Sequence, residues 1–294
     1  MTNAQFRGSG VALVTPFLDN ESIDFDSLAK LIDYCIDGGI EYLVSLGTTG
    51  ESVVLNASEK KAILDFTVKH TAGRVPIVAG FGGNNTSELL SSIENIDFTG
   101  IDAILSVSPY YNKPTQAGII AHYEAVANIA PKPILLYNVP GRTGSNIDAE
   151  TTIELAKHKN IMGIKEASGN FRQCMQIVKN TSPDFLKISG DDNLTLPLLS
   201  LGFDGVISVS GQGFPKQFSE MVRLGLKGNF EAARALHYQL VDVTDMLFAE
   251  GNPGGIKEIL ALAGVCSTKM RLPLVNVSQK LRSTLADAYK SIII

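Results

Sequence analysis

Eight short, nearly unbroken apolar runs constrain this 294-residue chain more than any other feature. They cover residues 11–17, 42–46, 76–81, 103–109, 133–139, 161–167, 186–190 and 205–210, and most are rich in the Val, Ile and Leu that suit strands buried on both faces. Between them apolar residues recur at helical spacing, as in Phe25, Leu28, Leu31, Ile32, Cys35 and Ile36, or Ile63, Phe66, Thr67 and His70. Ser58, Thr86 and Asp148 read as helix starts, and Asp37-Gly38-Gly39 as a turn between elements. Eight strand–helix units close a parallel sheet on itself, so the pattern predicts an α/β chain folded as a (β/α)8 TIM barrel. After the eighth run only helical patterns follow, roughly 230–249, 255–263 and 278–291. They have no strand to cover and are expected to form a C-terminal helical appendage packed on the barrel or on another subunit. The expected division is a catalytic barrel over 1–228 and C-terminal helices over 229–294, with no Pro-, Ser- or charge-rich linker between them. The closing Ile292-Ile293-Ile294 suggests no function.

The formal net charge of −5 and the absence of a dense Lys/Arg run argue against nucleic acid or an anionic membrane as partner. A small molecule is the expected ligand. Residues 1–10 lack the apolar core of a secretory leader, and no stretch reaches membrane-spanning length. Cys35, Cys174 and Cys266 have neither metal-ligand nor redox spacing, which suits reduced thiols filling helix faces in a cytoplasmic protein. His70, His122, His158 and His237 fall in helical segments, and no metal site is expected.

Barrel chemistry collects where the strands end at their C-terminal side. Lys165 lies within the sixth run, in Ile161-Met162-Gly163-Ile164-Lys165-Glu166-Ala167-Ser168. An ammonium is costly in an apolar interior, and a neutral amine there can attack a ketone to form a Schiff base. The alternative is a lysine that ends a strand and reaches solvent or Glu166. If Lys165 faces the barrel interior, Ile164 and Glu166 face the helix layer. Gly47-Thr48-Thr49-Gly50 after the second run offers backbone amides and two hydroxyls suited to a carboxylate, or else a structural turn. Tyr137 near the end of the fifth run and Tyr111 after the fourth could move protons, with a threonine hydroxyl linking them. Each could equally be a core or rim residue. Arg142, in Pro140-Gly141-Arg142-Thr143-Gly144, carries a fork that matches a carboxylate or joins a surface or interface ion pair.

At these positions the chain resembles the dihydrodipicolinate synthase family of pyruvate-dependent class I aldolases. The resemblance covers about residues 8–275. It rests on the ordered motifs Gly47-Thr48-Thr49-Gly50-Glu51-Ser52, Ser108-Pro109-Tyr110-Tyr111-Asn112-Lys113-Pro114, Tyr137-Asn138-Val139-Pro140-Gly141-Arg142-Thr143, Gly163-Ile164-Lys165-Glu166-Ala167-Ser168, Ser189-Gly190-Asp191-Asp192 and Gly205-Val206-Ile207-Ser208. It implies a metal-independent carbon–carbon lyase that needs no cofactor and condenses pyruvate with L-aspartate 4-semialdehyde in the diaminopimelate route to lysine. By the same resemblance Lys165 forms the imine and Tyr137 is the general acid/base, linked through Thr48 to Tyr111 of a neighbouring subunit. Thr49, Gly190 and Ile207 would contact pyruvate, and Arg142 the second substrate's carboxylate. A homo-oligomer follows, a dimer of tight dimers forming a tetramer.

Two stretches depart from the family pattern. Ser210-Gly211-Gln212-Gly213-Phe214 replaces a small-residue-Asn-Val type sequence, and Asn252-Pro253-Gly254-Gly255-Ile256-Lys257 replaces Asn-Pro-Ile-Pro-Val-Lys. The resemblance also implies an effector site for L-lysine at Ser52, Asn84, Glu88 and Tyr110. Two family histidines there are Ala57 and Lys60 in this chain, so weak inhibition or none is expected. The rival activities are cleavage of N-acetylneuraminate or a 2-keto-3-deoxy sugar acid, which would not call for Arg142, and silent keto-acid binding, which would not call for a proton relay.

Overall fold

A computed structural model describes residues 3–293. Met1 and Thr2, within the stretch read for a leader, and Ile294 lie outside the described residues. Eight parallel strands form a closed barrel in sequence order: β1 (Gly8–Ala12), β2 (Tyr42–Ser45), β3 (Ile77–Gly80), β4 (Ala103–Val107), β5 (Ile134–Asn138), β6 (Ile161–Glu166), β7 (Leu186–Ser189) and β8 (Gly205–Ser208). Helices Phe25–Asp37, Ala57–Thr71, Thr86–Glu94, Gln116–Ile129, Ala149–Leu155, Phe171–Asn180, Thr195–Ser200 and Pro215–Leu226 follow them in turn. Seven strands fall within one or two residues of the expected runs.

The first strand is the correction. It begins at Gly8, not Val11, because Gly8, Ser9 and Gly10 carry no apolar signal yet pair with Gly205, Val206 and Ile207 of β8. A Cβ on Gly205 would stand 2.1 Å from the Gly8 carbonyl oxygen, so closing the barrel here requires glycine at 205. The apolar residues 13–17 are buried loop. Val14 N–H donates to Gln212 Oε1, and Gln212 Nε2 donates to the Ala12 carbonyl at 2.7 Å. The departure at 210–214 therefore laces the end of β1 to the chain after β8. Two helix starts also shift. Asn56 caps Ala57–Thr71 in a capping box with Glu59, not Ser58, and Asn85, not Thr86, caps Thr86–Glu94. Asp148 stands at the expected cap position without a side-chain bond to the helix.

Helices Phe230–Phe248, Gly254–Leu262 and Gln279–Ile293 form the C-terminal part, close to the expected spans. A Cβ on Gly255 would meet the Leu247 carbonyl oxygen at 2.5 Å, so the second helix can lie against the end of the first only with glycine there. That accounts for the glycine at 255 in the second departure. Arg282 binds Glu258 with Nη2 to Oε1 at 2.8 Å, and Ile292 is buried while Ile293 is half exposed. Lys257, fully buried, reaches back to Glu51 at 2.5 Å, donates to the Lys269 carbonyl and lies over the Phe17 ring. Burial pushes the Lys257 amine below its ordinary value, while the Glu51 charge opposes the shift. Removing one partner of a buried pair leaves the other charge uncompensated. Lys257→Ala is therefore expected to cost roughly 3–5 kcal/mol in urea unfolding, with much of it recovered by combining Lys257→Met and Glu51→Gln. A loss under about 1 kcal/mol would show that this pair does not hold the appendage.

Candidate active site

Parallel register places Tyr137 of β5 opposite Lys165 of β6 and Lys165 opposite Ile188 of β7. Lys165 and Tyr137 point into the barrel mouth, where Lys165 Nζ lies 4.3 Å from the Tyr137 ring centroid. Their neighbours Asn138 and Glu166 point the other way and form a buried polar cluster. Glu166 accepts from Asn138 Nδ2 at 2.9 Å, Gln173 Nε2 at 2.8 Å and Ser168 N–H at 2.6 Å. Asn138 Oδ1 accepts the Ile147 N–H, which ties down the chain beyond Arg142. The alternation predicted from Lys165 is what the structure has, and the Lys165–Glu166 pairing alternative is not.

Among the described residues three lysines are buried, and one of them lacks a counter-charge. Lys187 faces Asp204 at 3.6 Å and Lys257 faces Glu51, whereas Lys165, 6% exposed, has no carboxylate or hydrogen-bond partner among the described residues. Gly190, after β7, leaves room for its stem: a Cβ there would lie 2.7 Å from Ala167 Cβ and 3.0 Å from Lys165 Cε.

Lys165 lines a cavity of about 1060 Å³. Thr48, Thr49, Tyr137, Arg142, Gly190 and Ile207 line it too, and so do Ser52, Asn84, Glu88 and Tyr110. Thr48 and Thr49 sit on a short turn, Thr48–Gly50, between Leu46 at φ 60° and Glu51 at φ 52°. Left-handed backbone at non-glycine residues costs energy and is kept where the surroundings enforce it. At Glu51 the enforcement is visible, since its carboxylate accepts from Lys257 and from the Arg271 N–H. Arg142 lies exposed on the one-turn helix Pro140–Thr143 without an ion-pair partner among the described residues. Lys60 also lines the cavity. Tyr111 does not join its own chain's cavity. It is 84% exposed at φ 71°, pointing away from the fold that carries it.

Sequence reasoning missed the contribution of the C-terminal helices to this mouth. Thr244, Asp245, Phe248 and Asn252 line the cavity, and Asn252 Nδ2 donates to Thr49 Oγ1 at 2.9 Å. Asn252 falls at a position that agrees with the family pattern, so nothing local marked it, and its partner Thr49 lies 203 residues away. Asp191 also lines the cavity, and burial together with the neighbouring Asp192 charge raises its carboxyl above the usual range. Cys35, Cys174 and Cys266 are free and buried away from the site, and burial raises each thiol, Cys174 and Cys266 to about 12. Among the described residues no His, Cys, Asp or Glu group is arranged to hold a metal ion, and no helix is long and apolar enough to cross a membrane.

Comparison with known proteins converges on one family. Residues 5–292 match the Dihydrodipicolinate synthetase family. A 4-hydroxy-tetrahydrodipicolinate synthase of Flavobacterium psychrophilum is 50% identical over 281 residues, 95% of this chain and 96% of that protein. The crystal structure of a dihydrodipicolinate synthase from Aquifex aeolicus superposes with a TM-score of 0.94 at 40% identity, covering 97% of this chain and 98% of the other. A dihydrodipicolinate synthase structure from Cyanidioschyzon merolae with lysine bound gives 0.94 and 40%, covering 98% and 99%. With a matching fold and a matching sequence along almost its whole length, the chain belongs to the dihydrodipicolinate synthetase family.

Proposed function

We propose that this cavity carries out the 4-hydroxy-tetrahydrodipicolinate synthase reaction, joining pyruvate to L-aspartate 4-semialdehyde in the diaminopimelate route to lysine. The observation that carries the reading is Lys165, the buried lysine left without a counter-charge and set against Tyr137. Its amine attacks the pyruvate ketone, and loss of water gives an imine at Lys165. Loss of a methyl proton turns the imine into an enamine, whose carbon attacks the semialdehyde. The substrate's own amine then displaces Lys165 and closes the six-membered ring, returning the enzyme to its starting form. Tyr137 moves the protons, Thr48 connects it to Tyr111 of a neighbouring subunit, and Thr49, Gly190 and Ile207 surround pyruvate. The outward exposure of Tyr111 supports that exchange, and with it a tight dimer within a tetramer. The barrel, 1–228, holds the reacting groups and the helices of 229–294 brace its mouth. No cofactor is needed, because the imine itself is the electron sink.

The first test is chemical. Pyruvate with borohydride is expected to reduce an imine at Lys165 and inactivate the protein, as located by peptide mass spectrometry, and Lys165→Ala is expected to abolish the adduct. An adduct on another lysine, or none, removes the mechanism.

Arg142 is assigned to the semialdehyde carboxylate because it stands at the cavity with no ion-pair partner among the described residues. A charge-assisted contact is worth about 2 kcal/mol, so Arg142→Ala is expected to lower kcat/KM for the semialdehyde roughly thirtyfold while imine trapping with pyruvate continues. Unchanged semialdehyde kinetics would count against this assignment. Preferential turnover of a sugar acid would favour the rival aldolase activity.

Ser52, Asn84, Glu88 and Tyr110, which line the same cavity, are the proposed effector site for L-lysine, and a relative with lysine bound supports that choice of ligand. Glu88 suits the α-amino group, but the Lys60 ammonium repels a second cation and Ala57 offers no hydrogen bond. Weak inhibition or none is expected in steady-state assays, with Lys60→His strengthening any that exists. Micromolar inhibition of the unaltered enzyme would contradict the charge argument.

A further inference from the structure

We infer that Asn252 is a positioning residue for the pyruvate carboxylate, acting through the Thr49 hydroxyl. The inference rests on the reading above, in which Thr49 contacts that carboxylate. A threonine hydroxyl has one proton to give and lone pairs to receive. Asn252 Nδ2 donates to Thr49 Oγ1 at 2.9 Å, so the threonine proton must point elsewhere. Among the described residues no protein acceptor takes it, and both side chains line the cavity that holds Lys165. The amide thus sets Thr49 as a donor toward an anion. The other half of the amide tells the same story. Asn252 Oδ1 is buried and has no partner among the described residues. Native folds rarely retain such an atom for stability, because burying an unpaired acceptor is unfavourable and an apolar residue would avoid it. The position is rigid as well: Asn252 lies just ahead of Gly254–Leu262, whose Lys257 grips Glu51 at the far end of the Thr48–Gly50 turn.

Chemistry at residue 252 can be changed while its shape is kept. Asn252→Asp presents an acceptor to Thr49, drawing the threonine proton away from the substrate and adding negative charge nearby. Asn252→Ala removes the donor without replacing it. Losing one neutral hydrogen bond corresponds to roughly a fivefold change, so Asn252→Ala is expected to raise KM for pyruvate about fivefold, with kcat within about twofold and KM for the semialdehyde unchanged. For Asn252→Asp the rise is expected to be on the order of fiftyfold at neutral pH, because an ion is now mispaired as well. That penalty should shrink as the pH falls toward the carboxylate range, where the new side chain regains a proton to donate. In a Thr49→Val background, Asn252→Ala should add nothing further.

The same variants are read by borohydride trapping at graded pyruvate. In the expected result the adduct stays on Lys165 and only the half-saturating pyruvate concentration rises. An unchanged half-saturation, equal losses for both substrates, a pH-independent Asp penalty, or multiplying effects of Thr49→Val and Asn252→Ala would each overturn the inference while leaving Lys165 chemistry intact. Failure of the unaltered enzyme to be trapped at Lys165 would remove the underlying reading, and this inference with it.

Discussion

A closed sheet of eight parallel strands gives each side chain only two destinations, the barrel interior or the layer beneath the helices. Alternation along β6 sends Lys165 inward and Glu166 outward, and register with β5 does the same to Tyr137 and Asn138. One geometric rule therefore separates reactive from structural polar groups within four neighbouring positions. Outward groups saturate one another: Glu166 is surrounded by donors from Asn138, Gln173 and Ser168. Inward groups have few protein partners, which leaves them free for a ligand.

The loops at the mouth gain their shape from elsewhere. Leu46 and Glu51 adopt backbone that isolated residues avoid, and the chain that holds Glu51 arrives some two hundred residues later as Lys257 and Arg271. The C-terminal helices are thus part of the site, since Asn252 contacts Thr49 while the next helix holds the turn's far end. Glycine at 255 is what lets that helix lie close enough.

Much of this was legible in the sequence for identifiable reasons. Burial on both faces leaves long apolar runs, so seven strands could be placed closely. β1 could not, because its pairing edge is Gly8-Ser9-Gly10 and the apolar residues beyond it record burial under the C-terminal part. Of the twelve candidate site residues, only Tyr111 stays outside the cavity of its own chain. The lysine argument, however, applies as well to Lys187, which also sits in an apolar run. Sequence could not tell them apart because the distinction is Asp204, a partner brought near Lys187 by the turn into β8. Asn252 stayed hidden for the same reason. Local patterns reveal which face a residue occupies, while contacts closed across the whole barrel are decided by the fold.

The three thiols carry a practical corollary. Nucleophilic sulfur requires exposure and a thiolate, and Cys35, Cys174 and Cys266 have neither, since each is buried and held in its protonated form. A cysteine introduced at a surface position such as Tyr238, 66% exposed, would then react alone with maleimide or iodoacetamide. The chain accepts a single fluorophore or spin label without prior removal of its own sulfur, which makes the motions of the C-terminal helices accessible to spectroscopy in the otherwise unaltered enzyme.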